Sequence, residues 1–219
     1  MPSVETFTWT QLGSIPDKPG IYAWYYNPKI SKHDVDTFIK SVNESNIAGN
    51  TAEAHNTIRI FLEKQLFTYL KEDPFFAQIT GALKPAYEGE LHHQTAISDS
   101  LIKRLRESPD RILSIRSVLE RTTPNFASPI YIGMSDGLRK RIATHKALIE
   151  HFRKLFNSNE KIEAPKDDVD AGFAKRVAQR GIPPELLFVT TCVIEGENGI
   201  HVDVENILNR LYYPILGRN

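Results

Sequence analysis

The sequence predicts a small α/β or α+β sheet protein interrupted by a helical lobe, and three observations predict it. Strand-length apolar and aromatic runs stand near residues 21–26, 129–134 and 186–194, each bounded by proline, glycine or polar turn residues. Helical patterns of period 3.6 separate them, most densely between the first run and the second. No stretch approaches the ~18 apolar residues of a membrane-spanning helix, and the start lacks the basic region of a secretory signal.

The composition is that of an ordinary globular protein, with 41% hydrophobic and 25% charged residues in a 219-residue chain that can bury a sizeable core. Cys192 is the only cysteine. It excludes an intramolecular disulfide and suits a reducing compartment, so a soluble, cytoplasmic protein is expected. Histidines 33, 55, 92, 93, 145, 151 and 201 have no cysteine partners at zinc-finger spacing, and His92-His93 reads as a solvated loop pair. The net charge is zero, from 27 basic and 27 acidic residues. Residues 128–181 nevertheless carry eleven bases against seven acids, with Arg139, Lys140, Arg141, Lys146, Arg153 and Lys154 facing only Glu150 in 139–154. That local basic face allows a nucleic-acid partner but not a long-range electrostatic clamp, and a solvated helix surface explains the charge equally well.

The elements follow in order. Pro16, Pro19 and Gly20 punctuate the approach to a first strand that runs to Asn27-Pro28. Ser31 can cap a helix whose apolar positions Val35, Phe38, Ile39 and Val42 recur at i, i+3, i+4 and i+7. Residues 51–72 repeat the pattern behind Thr51, helices are expected at about 97–107 and 110–121, and the stretch TPNFASP ends the block. The strand PIYIGM is closed by Ser135-Asp136-Gly137 and followed by a long helix to about Phe156, with His145 on the apolar line of Leu138, Ile142, Ile149 and Phe152. Residues 157–168 read as an exposed polar loop, 169–180 as a helix stopped by Gly181-Ile182-Pro183-Pro184, and LLFVTTCVIEG as a strand holding Cys192 as a small buried hydrophobe. A last helix at about 202–213 is apolar along Val204, Ile207, Leu208 and Leu211.

The residues that bear on chemistry lie in an ordered set. Gly20-Ile21-Tyr22 stands in the first strand and Tyr131-Ile132-Gly133 in the second. Arg141 follows in the next helix, with His145 one turn on and on the same helix face. Glu205 opens the last helix, where the macrodipole favours its ionised form, and Pro214 and Asn219 come after it. Phosphodiester hydrolysis asks for such groups: an activated water, a planar cation for phosphate charge, and a carboxylate able to hold a hydrated Mg²⁺.

This order resembles the GIY-YIG nuclease family over residues 16–28, 128–156 and 187–219. The resemblance implies an α+β core, a small antiparallel or mixed sheet flanked by helices, from residues 1–28 and 128–219, with 29–127 as an inserted, mainly helical lobe. It implies a metal-dependent endonuclease acting on DNA, similar to the stand-alone restriction members, using Mg²⁺ or Mn²⁺. Arg141 would contact the scissile phosphate and Glu205 bind the metal. Tyr22, Tyr131 and His145 would surround the attacking water, with one tyrosine as general base, and Asn219 would support the site. Gly133, Arg139, Lys140 and Lys146 would meet the nucleic acid. The lobe is the only segment large enough to add specificity or to pair two protomers, and a homodimer would let one site per chain cut both strands.

Three features depart from the family pattern. Met134 stands where many members have lysine, Asn219 lies two residues further from Pro214 than usual, and Tyr22 and Tyr131 are 109 positions apart. Met134 and the displaced Asn219 support an alternative, a GIY-YIG-like fold that binds nucleic acid or protein without cutting; a structure-specific nuclease for branched or damaged DNA is a third reading. The residues also admit plainer roles. The tyrosines can pack a sheet, His145 can be a satisfied core histidine, and Arg141 and Glu205 can be a structural ion pair.

Overall fold

A computed structural model describes residues 3–82, 84–158, 169–194 and 199–217. The chain divides into two units, Met1–Pro28 with Glu120–Asn219, and Lys29–Leu119. Among the described residues no helix is long and apolar enough to cross a membrane.

The first unit is built on a four-stranded antiparallel sheet of β1 (Ser3–Thr8), β2 (Gly20–Tyr26), β5 (Tyr131–Ser135) and β6 (Leu187–Val193), in the order β1-β6-β2-β5. The protein is therefore α+β. Strands β2 and β5 are neighbours despite the intervening sequence, with Tyr22 opposite Gly133 and Trp24 opposite Tyr131. The Ile130 amide continues the contact by donating to the Trp24 carbonyl at 2.8 Å. Because β5 is an edge strand, the chain leaves and re-enters the sheet at one border without crossing another connection. Strand β1 was not expected. Its exposed residues carry little alternation, and only pairing with β6 makes it a strand.

Strand β2 alternates cleanly. Gly20, Tyr22, Trp24 and Tyr26 are buried on one face, while Ile21, Ala23 and Tyr25 are half-buried on the other. The first face is covered by α5 (Leu138–Ser158) and α6 (Val169–Gln179), whose inward lines are Leu138, Ile142, His145, Ile149 and Phe152 on α5 and Phe173, Ala174 and Val177 on α6. Helix α7 (Ile200–Tyr212) packs against β5 and β2. After it, the chain is pinned to the sheet border: the Leu216 amide donates to the Ile130 carbonyl at 2.7 Å, and Leu216 is fully buried. The expected loop at 157–168 lies outside the described residues beyond Ser158, which still belongs to α5.

The second unit holds α1 (Lys32–Ile47), α2 (Thr51–Leu62), a hairpin of β3 (Phe75–Gly81) and β4 (Lys84–Leu91), α3 (Asp99–Glu107) and most of α4 (Arg111–Phe126). Ser31 caps α1 by accepting from the Asp34 amide at 3.0 Å, and its apolar line Val35, Phe38 and Val42 meets Ile58, Leu62 and Leu105 in a closed core. Three sequence expectations are corrected here. Asn50 rather than Thr51 caps α2, accepting from the Glu53 amide. The helix expected to reach residue 72 gives way to a π turn at Glu63–Phe67 and a 3-10 turn at Thr68–Leu70. The lobe also holds the β3–β4 hairpin, Phe75 pairing with Leu91 and Ile79 with Tyr87, in strands so exposed that neither shows a buried face. Finally, α4 runs through Pro124 to Phe126, since a proline in the last turn disturbs a ladder that is already finishing.

Candidate active site

Tyr22, His145 and Arg141 meet because β2 and α5 present matching periodicities. Tyr22 points inward from β2, and His145 and Arg141 lie one turn apart on α5. The Tyr22 phenol oxygen is 3.4 Å from His145 Nε2, and Arg141 Nε donates to the same oxygen at 3.4 Å. Tyr131 joins from β5, its ring centroid 6.1 Å from that of Tyr22 and 5.7 Å from the imidazole. Tyr22, Tyr131 and His145 are buried, whereas Arg141 is half-buried at the rim.

The motif glycines have a packing explanation. A Cβ on Gly133 would lie 2.7 Å from both Cζ and Oη of Tyr22, so the bare backbone provides the space for the phenol. A Cβ on Gly20 would drive into the Cys192 carbonyl across the β2–β6 pair. Gly133, expected to touch nucleic acid, is thus buried beneath Tyr22.

Glu205 reaches the same neighbourhood from α7. With Tyr131, Ile132, Asn206, Asn209 and Arg210 it lines a cavity of roughly 250 Å³. One carboxylate oxygen accepts from Asn209 Nδ2 at 2.7 Å. The Arg210 guanidinium is held by Asn206 on the same helix. At the start of α7, His201 Nε2 stands 3.1 Å from Asp136 Oδ1, tying the helix to the β5–α5 connection. The expected apolar stripe of α7 is only half inward, through Val204 and Leu208. Ile207 and Leu211 are exposed, and the residues turned inward are His201, Val204, Glu205, Leu208 and Asn209. A helix that hides polar residues and exposes apolar ones breaks local rules, as functional sites do.

Arg139, Lys140 and Lys146 lie elsewhere on α5. Arg139 Nε donates to the Ile15 carbonyl at 2.6 Å, the Lys140 amide to Asp17 at 3.4 Å, and the Lys146 ammonium stands 5.5 Å over the Trp9 ring. Seven residues apart, Arg139 and Lys146 share a helix line facing the N-terminal segment, on the opposite flank from Arg141 and His145. Asn219 lies outside the described residues.

Two site residues were not anticipated. Trp24 donates its indole N–H to His145 Nδ1 at 3.2 Å, and the period of two that placed Tyr22 inward also placed Trp24 inward. Asn209 was signalled by its i, i+4 spacing from Glu205.

Among the described residues, no group of three or more His, Cys, Asp or Glu side chains forms a multi-ligand cage. A Mg²⁺ or Mn²⁺ ion nonetheless suits Glu205. That carboxylate is a hard oxygen donor held by Asn209, it faces a cavity with room for water, and Mg²⁺ is commonly bound through one or two carboxylates with most of its hydration retained. On the other face of the sheet, a larger cavity of roughly 690 Å³ is lined by Ile21, Tyr25, Cys192, Leu208 and Tyr212 among others. Burial there pushes the Tyr25 phenol up, with Tyr212 adding to it, and burial alone pushes the half-buried Cys192 thiol up.

No protein-family model, curated protein or solved structure matches this chain.

Proposed function

We propose that the unit of residues 1–28 and 120–219 is a divalent-metal-dependent endonuclease that hydrolyses DNA phosphodiester bonds. The observation that carries the reading is the convergence of these groups: Tyr22 meets Arg141 and His145, Tyr131 stands beside Tyr22 and His145, and Glu205 lines a cavity with Tyr131. Arg141, the half-buried cation of the group, suits the phosphate, because its planar fork can follow two oxygens whose charge grows in the transition state. Tyr22 and Tyr131 present phenols beside it for the attacking water, and donors aimed at the Tyr22 oxygen stabilise negative charge developing there. Glu205, oriented by Asn209, would hold the metal. Such an ion, when bound, acts as a Lewis acid on a phosphoryl oxygen and lowers the cost of deprotonating bound water.

Incubating the protein with supercoiled plasmid and with branched DNA, with Mg²⁺, Mn²⁺ or EDTA, tests this reading. Metal-dependent nicking is expected, abolished in Glu205→Gln with folding intact. Arg141→Lys is expected to lose on the order of 10³-fold, by analogy with arginine clamps in phosphoryl transfer. Cleavage that persists in EDTA or in Glu205→Gln removes the metal assignment, and a fully active Arg141→Lys removes the clamp.

A further inference from the structure

We propose that Trp24 is a positioning residue that fixes His145 as the Nε2–H tautomer, so that His145 donates a hydrogen bond to Tyr22 and is not the proton acceptor of the site. The role of Tyr22 in this statement rests on the endonuclease reading above; the tautomer does not.

The argument is one of donors and acceptors. An indole N–H can only donate. It lies 3.2 Å from His145 Nδ1, so Nδ1 must present its lone pair. A neutral imidazole carries one N–H and one bare nitrogen, which places the proton on Nε2. Nε2 is 3.4 Å from the Tyr22 oxygen and therefore donates to it. Arg141 Nε, also only a donor, reaches the same oxygen. The phenol oxygen thus receives two N–H groups, from β2's packing partner α5 at two successive turns. Protonating the imidazole would set Nδ1–H against the indole N–H, with Trp24 and His145 both 0% exposed and the rings of Tyr131 and Phe173 closing the remaining sides. Two opposed donors there would each lose a hydrogen bond that water cannot replace.

The consequence for the reaction is an assignment of protons. The water oxygen bonds to phosphorus while the bond from phosphorus to the leaving sugar oxygen breaks. The proton of that water passes to the Tyr22 oxygen, whose own proton has gone to solvent beforehand, and the leaving oxygen takes a proton from solvent. His145 keeps its Nε2 proton throughout and holds the tyrosine oxygen in place. Phenylalanine at position 24 would keep much of the ring contact with Phe173 and Trp9 but leave Nδ1 without its donor, and the imidazole could then populate either tautomer.

The test combines spectroscopy and kinetics on the full chain. Long-range ¹H–¹⁵N spectra of protein labelled at histidine nitrogens, with the His145 signals assigned by their loss in His145→Gln, report which ring nitrogen carries the proton. A single Nε2–H tautomer is expected in the wild type, and mixed tautomers in Trp24→Phe. Trp24→Phe is also expected to lower kcat for plasmid nicking on the order of 10–100-fold, the range seen for groups that orient a ligand's second nitrogen, with KM for DNA unchanged. A wild-type His145 found as the Nδ1–H tautomer or as imidazolium overturns the proposal whatever the activity, and that measurement stands even if the variant does not fold. An unchanged spectrum in Trp24→Phe overturns it too, as does an altered tautomer with undiminished kcat. If the wild type cuts no DNA, the endonuclease reading fails, and the spectra alone still decide whether Trp24 sets the tautomer.

Discussion

A methyl group on Gly133 would meet the phenol of Tyr22 at 2.7 Å and Tyr131 Cε1 at 3.0 Å, whereas one on Gly13 would meet nothing within 4 Å. Gly133→Ala should therefore displace both tyrosines, costing about 1–3 kcal/mol as overpacking does and suppressing cleavage, while Gly13→Ala should stay within about 0.5 kcal/mol. Urea unfolding and plasmid nicking of the two variants check this pair. Cys192 makes a pH prediction. Burial raises its thiol above the ordinary range, so the folded state resists forming a thiolate that the unfolded chain forms at about pH 8.5. The contribution is intact below that pH and is lost as pH rises through the folded value. Denaturant titrations at pH 7 to 10 should show wild-type stability declining more steeply than that of Cys192→Ala, and equal slopes would refute the assignment. Tyr25, raised in the same sense, adds a further decline at higher pH in both proteins.

At the scale of elements, α7 separates two kinds of leucine. Leu208 is half-buried and lines the larger cavity, but Leu211 is 65% exposed three residues later. Leu208→Ala should cost about 1–3 kcal/mol and Leu211→Ser less than about 0.5 kcal/mol, read as midpoints of urea unfolding. The sequence presents Val204, Ile207, Leu208 and Leu211 as one apolar stripe, and no local rule says which edge of it turns inward. Anchoring at each end decides this: His201 in the first turn is tied to Asp136, and Leu216 after the helix to Ile130. The cap and apolar line of α1 were legible because they act within one or two turns. Ser31 accepts from the amide three residues on, and the structure adds the same device at Ser98 before α3. The β3–β4 hairpin was not legible, since its strands are almost wholly exposed and show no buried face for an apolar alternation to mark.

For the whole molecule, the division into units has an experimental consequence. Each unit has its own buried cluster, one on the inward face of β2 and one among α1, α2 and α3. Strand β2 ends beside the start of β5, so the sheet itself closes across the long intervening segment. Replacing residues 30–118 with a short glycine-containing linker should therefore leave a sheet unit that still unfolds cooperatively, seen as a single thermal transition by circular dichroism. Residues 120–127 are kept because Asn125, Phe126 and Ala127 line the larger cavity. If the lobe carries specificity, the shortened protein nicks DNA in the presence of Mg²⁺ without site preference. An unchanged preference would place recognition in the sheet unit. The homodimer expected for concerted cutting of both strands predicts linear product rising with protein concentration in the full chain.

The sequence by itself determined the class of fold, the positions of three of the four strands of the larger sheet and most helices, and the ordered set of Tyr22, Tyr131, Arg141, His145 and Glu205. Those rest on alternation, helical period and capping, which are short-range properties of neighbouring residues. Tertiary structure alone decided that Tyr22 lies over Gly133 and Trp24 beside Tyr131, although 109 positions separate the two tyrosines. It alone paired β1 with β6, turned Glu205 and Asn209 inward ahead of Ile207 and Leu211, and aimed the Trp24 indole at His145. Strand partners, register and the side of a helix that faces the core are set by contacts between segments far apart in the chain, and no periodicity within one segment encodes its partner.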